Sequence, residues 1–294
     1  ELDASVRALR HYFGKKSLTI MVALPGGITN ALSWVTSLTS GHLLIPVSPH
    51  LTDYEYEAIA QKHKPDVLIT SSPLTKPLAQ VKVLTPADIL SICKDGKPSK
   101  MAVRDGRVYL STSGSTGEPK GMYLTVEQII TTAHAIGGRH ELMESDRGMT
   151  PLPFHHVNAP VVSLVTTLLT GGTVIIAPKF STSKFWNWVE TYQPTWISIV
   201  PTIAAMLLKT EKPAFLKKSD LKFIRTASSP LPKIILQKFE EKFGLPLIET
   251  YGISEAAATI AANPLPPLAH KPGSVGLPLA VSFRFVEPYV KGHR

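Results

Sequence analysis

The sequence predicts an α/β fold in which helices cover layers of largely parallel sheet. Two observations predict it. Apolar runs of strand length alternate with amphipathic stretches of helical length along most of the chain, the order expected of βα units. Capping-box spacings, Thr52 with Glu55 and Thr125 with Gln128, then mark where two of the helices start.

Taken in order, residues 18–24 form the first predicted strand, which ends at the Pro25-Gly26-Gly27 turn; a helix follows to about Ser40. Residues 43–47 are the next strand. The capping box at Thr52 starts a helix to about His63, and residues 66–70 follow as a strand. Residues 71–104 are polar and expected to be looser. Strands resume at 108–112, 174–177, 196–200, 223–226 and 247–250, with helices at 126–140, 157–170, 184–192 and 233–243. The helix at 184–192 is expected to bury Trp186 and Val189. After Gly276 the pattern changes: 281–286 has strand character with no helix behind it, the expected start of a β-rich subdomain. The chain divides on this reading into an α/β subdomain at 1–105, a second at 106–260, and the β-rich start at 261–294.

Composition bounds the function. A chain of 294 residues with 44% hydrophobic and 18% charged residues suits one large folded domain or two medium ones. The single cysteine, Cys93, rules out an intrachain disulfide, suits a reducing compartment, and is expected to pack as a small apolar side chain. Cys and His do not cluster as a dedicated metal site would require. No run of 18 apolar residues occurs, so neither a membrane span nor a signal peptide is expected. The net charge of +9 is spread out in short pairs such as Lys15-Lys16 and Lys217-Lys218. A nucleic-acid surface would cluster it, so no nucleic-acid partner is expected. The chain starts at Glu1, and its natural start is expected upstream.

The most informative segment is Ser111-Thr112-Ser113-Gly114-Ser115-Thr116-Gly117-Glu118-Pro119-Lys120-Gly121, which follows a predicted strand. Its glycines let backbone N–H groups approach an anion, its hydroxyls add donors, and Lys120 adds a mobile positive charge. These are parts that hold a polyphosphate. The order differs from a Walker A loop, which places Gly before the Lys and Ser or Thr after it; here Pro119 and Gly121 stand there.

This loop resembles the signature of the adenylate-forming superfamily, which includes acyl- and aryl-CoA ligases, peptide-synthetase adenylation domains and beetle luciferase. Four later segments resemble that family in its order: Thr150-Pro151-Leu152-Pro153-Phe154-His155-His156, Thr226-Ala227-Ser228-Ser229-Pro230-Leu231, Glu249-Thr250-Tyr251-Gly252-Ile253-Ser254-Glu255, and Lys271-Pro272-Gly273-Ser274-Val275-Gly276. The resemblance implies a layered α/β domain with two mainly parallel sheets and the start of a β-rich subdomain. It implies ATP, Mg²⁺ and coenzyme A as ligands. Thr112, Ser113, Gly114, Ser115, Thr116, Gly117 and Lys120 would hold the β- and γ-phosphates. Tyr251 would stack on adenine, with Ser229, Glu249 and Thr250 beside the base. Ser254 would meet the α-phosphate and Glu255 would bind Mg²⁺; Lys120, Ser254 and Glu255 form the implied catalytic set. His156, Ala227, Ser228 and Gly252 would border the acid, with His155 at a place usually aromatic.

The resemblance also implies the reaction: an acid forms an acyl adenylate, then a thioester with coenzyme A. Peptide-synthetase domains place an aspartate after the phenylalanine of the histidine segment to meet an amine; Phe154 is followed by His155 and His156 instead. An acid without an α-amine is expected. Pro178-Lys179-Phe180-Ser181, Phe185-Trp186 and residues 196–202 look most like the oxalate–CoA ligase branch, with a longer fatty acid as the alternative. Full-length relatives continue into a Thr-Gly-Asp segment and a small mobile domain with a catalytic lysine, which 294 residues do not reach. The chain is therefore expected to be a fragment, a very weak adenylation catalyst or none. A non-catalytic module that binds nucleotide or acyl adenylate is the alternative. Carrier protein stays open as acceptor, and so does the oligomeric state. The cytoplasm is the expected location, with a peroxisomal address as the alternative.

Overall fold

The computed structural model describes residues 1–72, 78–98, 100–112 and 120–284, and of Thr112 and Lys120 the backbone alone. The chain begins with α1 (Leu2–Phe13) and then runs β1 (Thr19–Ala23), α2 (Ile28–Thr39), β2 (Leu43–Pro46), α3 (Asp53–His63), β3 (Val67–Thr70), β4 (Lys82–Leu84) and α4 (Pro86–Asp95). An antiparallel pair follows, β5 (Arg107–Thr112) and β6 (Lys120–Thr125), which leads into α5 (Val126–Arg139). Next come β7 (Arg147–Thr150), a π-helix over Asn158–Val165 continued by α6 (Thr166–Leu169), β8 (Thr173–Ile176), α7 (Phe185–Tyr192), β9 (Trp196–Ile199) and α8 (Pro201–Leu207). Beyond a 3-10 turn at Ala214–Lys218 lie β10 (Phe223–Thr226), α9 (Lys233–Phe243) and β11 (Leu247–Ile253). A second 3-10 turn, Ser254–Ala256, joins β11 to β12 (Ala258–Ala262), and β13 (Leu277–Pro278) closes the series.

The strands build two mainly parallel sheets, as expected. The first has the order β4-β3-β1-β2-β5-β6, with only β6 antiparallel. The second has the order β13-β12-β11-β10-β9-β7-β8, with only β12 antiparallel to its neighbours. Alternation along β1 shows why the first sheet is covered on both sides: Ile20 and Val22 enter the main core with Leu9 of α1, Trp34 of α2 and Ile89 of α4, while Met21 and Ala23 pack with Tyr56 of α3. Helix α5 packs against β6, the π-helix and β12, and so joins the two sheets.

Several expectations change. Residues 71–104 hold β4 and α4; α4 starts at a third capping box, Thr85 with Asp88, with Pro86 at its first turn. Its signal was weak because only Ile89 in that helix is buried. Helix α1, strands β6 and β7, helix α8 and strand β12 were also not foreseen. The helix expected over 157–170 is a π-helix for its first eight residues. Pro160 withdraws a donor there, and Thr166 sends both its N–H and its hydroxyl to the Val161 carbonyl five residues back. Residues 281–284 carry no strand; the strand after Gly276 is β13, which pairs with β12. The boundary drawn at 105/106 separates β2 from β5, neighbours in one sheet, and the one at 260/261 falls inside β12.

Candidate functional site

Strands β7, β9, β10 and β11 run parallel, so their carboxyl ends lie along one edge of the second sheet. Ligands in open α/β sheets settle at that edge, because the loops leaving the strands present backbone and side chains together. Three of the sequence-predicted segments leave from it: residues 151–156 after β7, 227–231 after β10, and 251–255 at the end of β11.

Hydrogen bonds tie these segments to one another. The amide of Asn158 donates to the Ser228 hydroxyl at 3.4 Å, and its carbonyl oxygen accepts from Ser198 on β9 at 2.9 Å. The loop after β7 thereby meets the turn after β10. Ser228 sits at φ 79, a left-handed conformation that costs a non-glycine residue about 1–3 kcal/mol unless its surroundings hold it. The Thr250 hydroxyl donates to the Thr226 carbonyl at 2.9 Å, which locks the end of β11 to that of β10. Glu249 is nearly buried. Its carboxylate accepts from the Gly273 N–H at 3.1 Å and from Leu231, while burial pushes its pKa up. This draws the glycine segment 271–276 against the same edge.

Beyond Thr250 the strand changes partner. Its pairing with β12 shifts between Tyr251 and Gly252, and Ile260 is left out of the register. This β-bulge re-aims the strand. Tyr251 projects there with 44% of its surface exposed. Gly252 is required: a Cβ would fall on the Ala258 carbonyl. The Ser254–Ala256 turn follows, held from behind by α5, whose Thr132 hydroxyl donates to the Ala256 carbonyl at 3.2 Å. Ala257 and Ala258, both at positive φ, bring the chain back into β12.

Glu255 is exposed and makes no hydrogen bond or ion pair among the described residues. No group of three or more His, Cys, Asp or Glu there gathers to hold a metal. A lone free carboxylate does not cage a cation, but it fits Mg²⁺, which keeps water and takes its remaining ligands from phosphates. His156 is exposed and His155 partly buried, their rings 4.4 Å apart. Loss of water lowers the pKa of both. For His155 the value falls to about 4, with His156 and then His50 adding to the effect. Both imidazoles are neutral at pH 7.

Ser113, Gly114, Ser115, Thr116 and Gly117 lie outside the described residues, as do the side chains of Thr112 and Lys120. The pairing of Thr112 with Lys120 sets the two ends of that segment side by side. Tyr109 packs on the next residue, since a Cβ on Gly121 would strike its phenol. Arg225 and Asn158 were not singled out in the sequence. A charge inside the apolar strand Phe-Ile-Arg-Thr and an amide inside an apolar helix were the signals that could have found them.

Comparison with known proteins agrees with the geometry. Over 207 residues the chain is 36% identical to an oxalate–CoA ligase of Arabidopsis thaliana, covering 67% of this chain and 39% of that protein. Over 171 residues it is 38% identical to a sulfoacetate–CoA ligase of Cupriavidus necator, covering 58% of this chain and 33% of that protein. The chain thus matches two fifths or less of these relatives' own length. The ATP-bound crystal structure of MatB from Rhodopseudomonas palustris superposes with a TM-score of 0.82 over 95% of this chain and 58% of that one, at 20% identity, a likeness of fold. No helix among the described residues is long and apolar enough to cross a membrane. The model of the family described as AMP-binding enzyme matches residues 6–292, so the segments gathered at the carboxyl edge of the second sheet are those of a member, and the chain belongs to the AMP-binding enzyme family.

Proposed function

We propose that the protein activates a carboxylic acid with ATP and passes the acyl group to coenzyme A. One observation supports this reading: the segments that carry His156, Ser228 and Tyr251–Glu255 follow β7, β10 and β11 at one edge of the second sheet, with the hydrogen bonds Asn158–Ser228 and Thr250–Thr226 between elements of that edge. In the reaction an acid oxygen attacks the α-phosphorus of ATP and the bond to pyrophosphate breaks. The thiol sulfur of coenzyme A then attacks the acyl carbon, and AMP leaves.

Each residue has a part. The exposed face of Tyr251 receives the base. Glu249 and Thr250 border it through their backbone, since their side chains are engaged inward; Ser229 lies in the turn beside them. Ser254 meets the α-phosphate, while Lys120 and the hydroxyls and N–H groups of 112–117 take the β- and γ-phosphates. Glu255 holds Mg²⁺, which supplies charge neutralisation on the phosphates. Ala227, Ser228, Gly252 and neutral His156 border the acid. Lys120→Ala is expected to weaken ATP binding by about 1.5–3 kcal/mol, the worth of a charged hydrogen bond. A calorimetric titration that finds the affinity unchanged would remove Lys120 from the site.

For the acid we propose a small dianion. The relatives named for oxalate and sulfoacetate support this; the lack of a carboxylate after Phe154 fits any acid without an α-amine. An ATP-consumption panel of oxalate, sulfoacetate, octanoate and a cinnamate tests it on the whole protein; turnover of octanoate alone overturns the small-acid reading.

A further inference from the structure

Arg225 occupies the middle of β10 with no exposed surface. A guanidinium in such a place costs several kcal/mol unless it is paired. Among the described residues no carboxylate lies within ion-pair distance of it. Its neighbours in the strand, Phe223 and Ile224, are apolar and buried, so an apolar side chain would be the ordinary occupant.

The guanidinium is spent on two hydroxyls instead. Nη2 donates to Thr250 Oγ1 at 2.6 Å and to Thr259 Oγ1 at 3.0 Å. These two threonines stand on different strands and on either side of the bulge. Thr250 pairs with Ala262 before it, and Thr259 pairs with Gly252 after it. Thr250 passes the connection on to the Thr226 carbonyl. One buried cation therefore joins β10, β11 and β12 at the point where Tyr251 turns outward. Nε and Nη1 find no partner among the described residues, so packing and hydrogen-bond satisfaction alone do not explain the residue.

We propose that Arg225 is a positioning residue of the nucleotide site, clamping the bulge through Thr250 and Thr259 so that the Tyr251 ring is held to receive the base. This rests on the reading of Tyr251 as the base platform. Arg225 touches no ligand. Its effect belongs to the base and not to the polyphosphate, which the hairpin of the first sheet would hold.

The test compares AMP with inorganic pyrophosphate by calorimetry on the 294-residue chain, with thermal unfolding measured beside it. Arg225→Met removes the clamp and the charge; Thr259→Val removes one arm and leaves the strand packing nearly unchanged. Both are expected to weaken AMP by about tenfold, the loss of one 1.4 kcal/mol interaction, while pyrophosphate affinity holds within about twofold on that scale. Arg225→Lys, which keeps the charge but not the fork, is expected to fall between. If Arg225→Met does not fold, the Thr259→Val comparison decides. Equal weakening of both ligands, which a merely structural role would give, overturns the proposal, as does unchanged AMP affinity in either variant. If the unsubstituted chain binds pyrophosphate but not AMP, the base-platform reading itself falls and takes this inference with it.

Discussion

A hydroxyl already engaged on both sides has little left for a ligand, and Thr250 is such a group: it donates to Thr226 and accepts from Arg225. The family resemblance implied that Thr250 lies beside the base, and the motif could not tell which way its side chain turns, since that depends on a charge 25 residues away on another strand. Gly252 gives a sharper case. Its Cβ position is filled by the Ala258 carbonyl, so Gly252→Ala must push the backbone of the bulge apart. A loss of about 1–3 kcal/mol is expected, as for overpacking elsewhere. The same change at Gly138 meets nothing within 4 Å and lies in a helix. There alanine is expected to stabilise by about 0.5–1 kcal/mol, because glycine gives up more chain entropy in a helix. Urea unfolding of the two variants should shift in opposite directions; a destabilised Gly138→Ala would contradict the open space beside it.

Elements with a local cause were legible in the sequence. The starts of α3 and α5 follow from threonine capping boxes, and both are present with reciprocal bonds. β10 and α9 lie where the apolar pattern put them. What stayed hidden depends on pairing rather than on local pattern: β6 and β12 are strands because β5 and β11 offer them edges, and the π-helix has Pro160 and Thr166 acting together. The motif-bearing turns were found, but the tie that holds the Ser254–Ala256 turn was not, since it comes from α5, 124 residues earlier. Thr132→Val keeps the shape of that helix and removes the bond to Ala256. A stability loss of about 0.5–1.5 kcal/mol is expected for one hydrogen bond. Weaker ATP binding should accompany it, because Ser254 and Glu255 lie on the freed turn. Calorimetry showing full ATP affinity together with the stability loss would separate that turn from the phosphates.

Across the whole molecule, charge and burial combine into a pH dependence that sequence could not announce, because it rests on which histidines the two sheets enclose. His42 falls to about 4, mainly through burial and then through Arg104; its Nδ1 accepts from the Leu18 N–H, which protonation would cancel. His155 falls to about 4 as well, and His156 is lowered. His140 is driven well below 6.5 by burial and then by Arg225. A histidine with a depressed folded pKa binds its proton more readily when unfolded. Its stabilising contribution is therefore complete above about pH 6.5 and is lost as the pH falls toward its folded value, about 4 for His42 and His155. Glu249, raised by burial, works the other way, but it is one group against five, since His63 is lowered too. The urea midpoint is expected to drop between pH 6.5 and 4.5, each buried histidine adding at most about 1.4 kcal/mol per pH unit to the slope. His140 allows the origin to be checked. Both its ring nitrogens are buried with no partner among the described residues, and its ring lies 5.1 Å from that of Phe223. His140→Phe should keep the packing, stabilise the protein at pH 7 by removing those orphaned atoms, and flatten the acid slope by one proton's share. A variant with the unsubstituted slope would mean that the ring takes up its proton in the fold as easily as outside it.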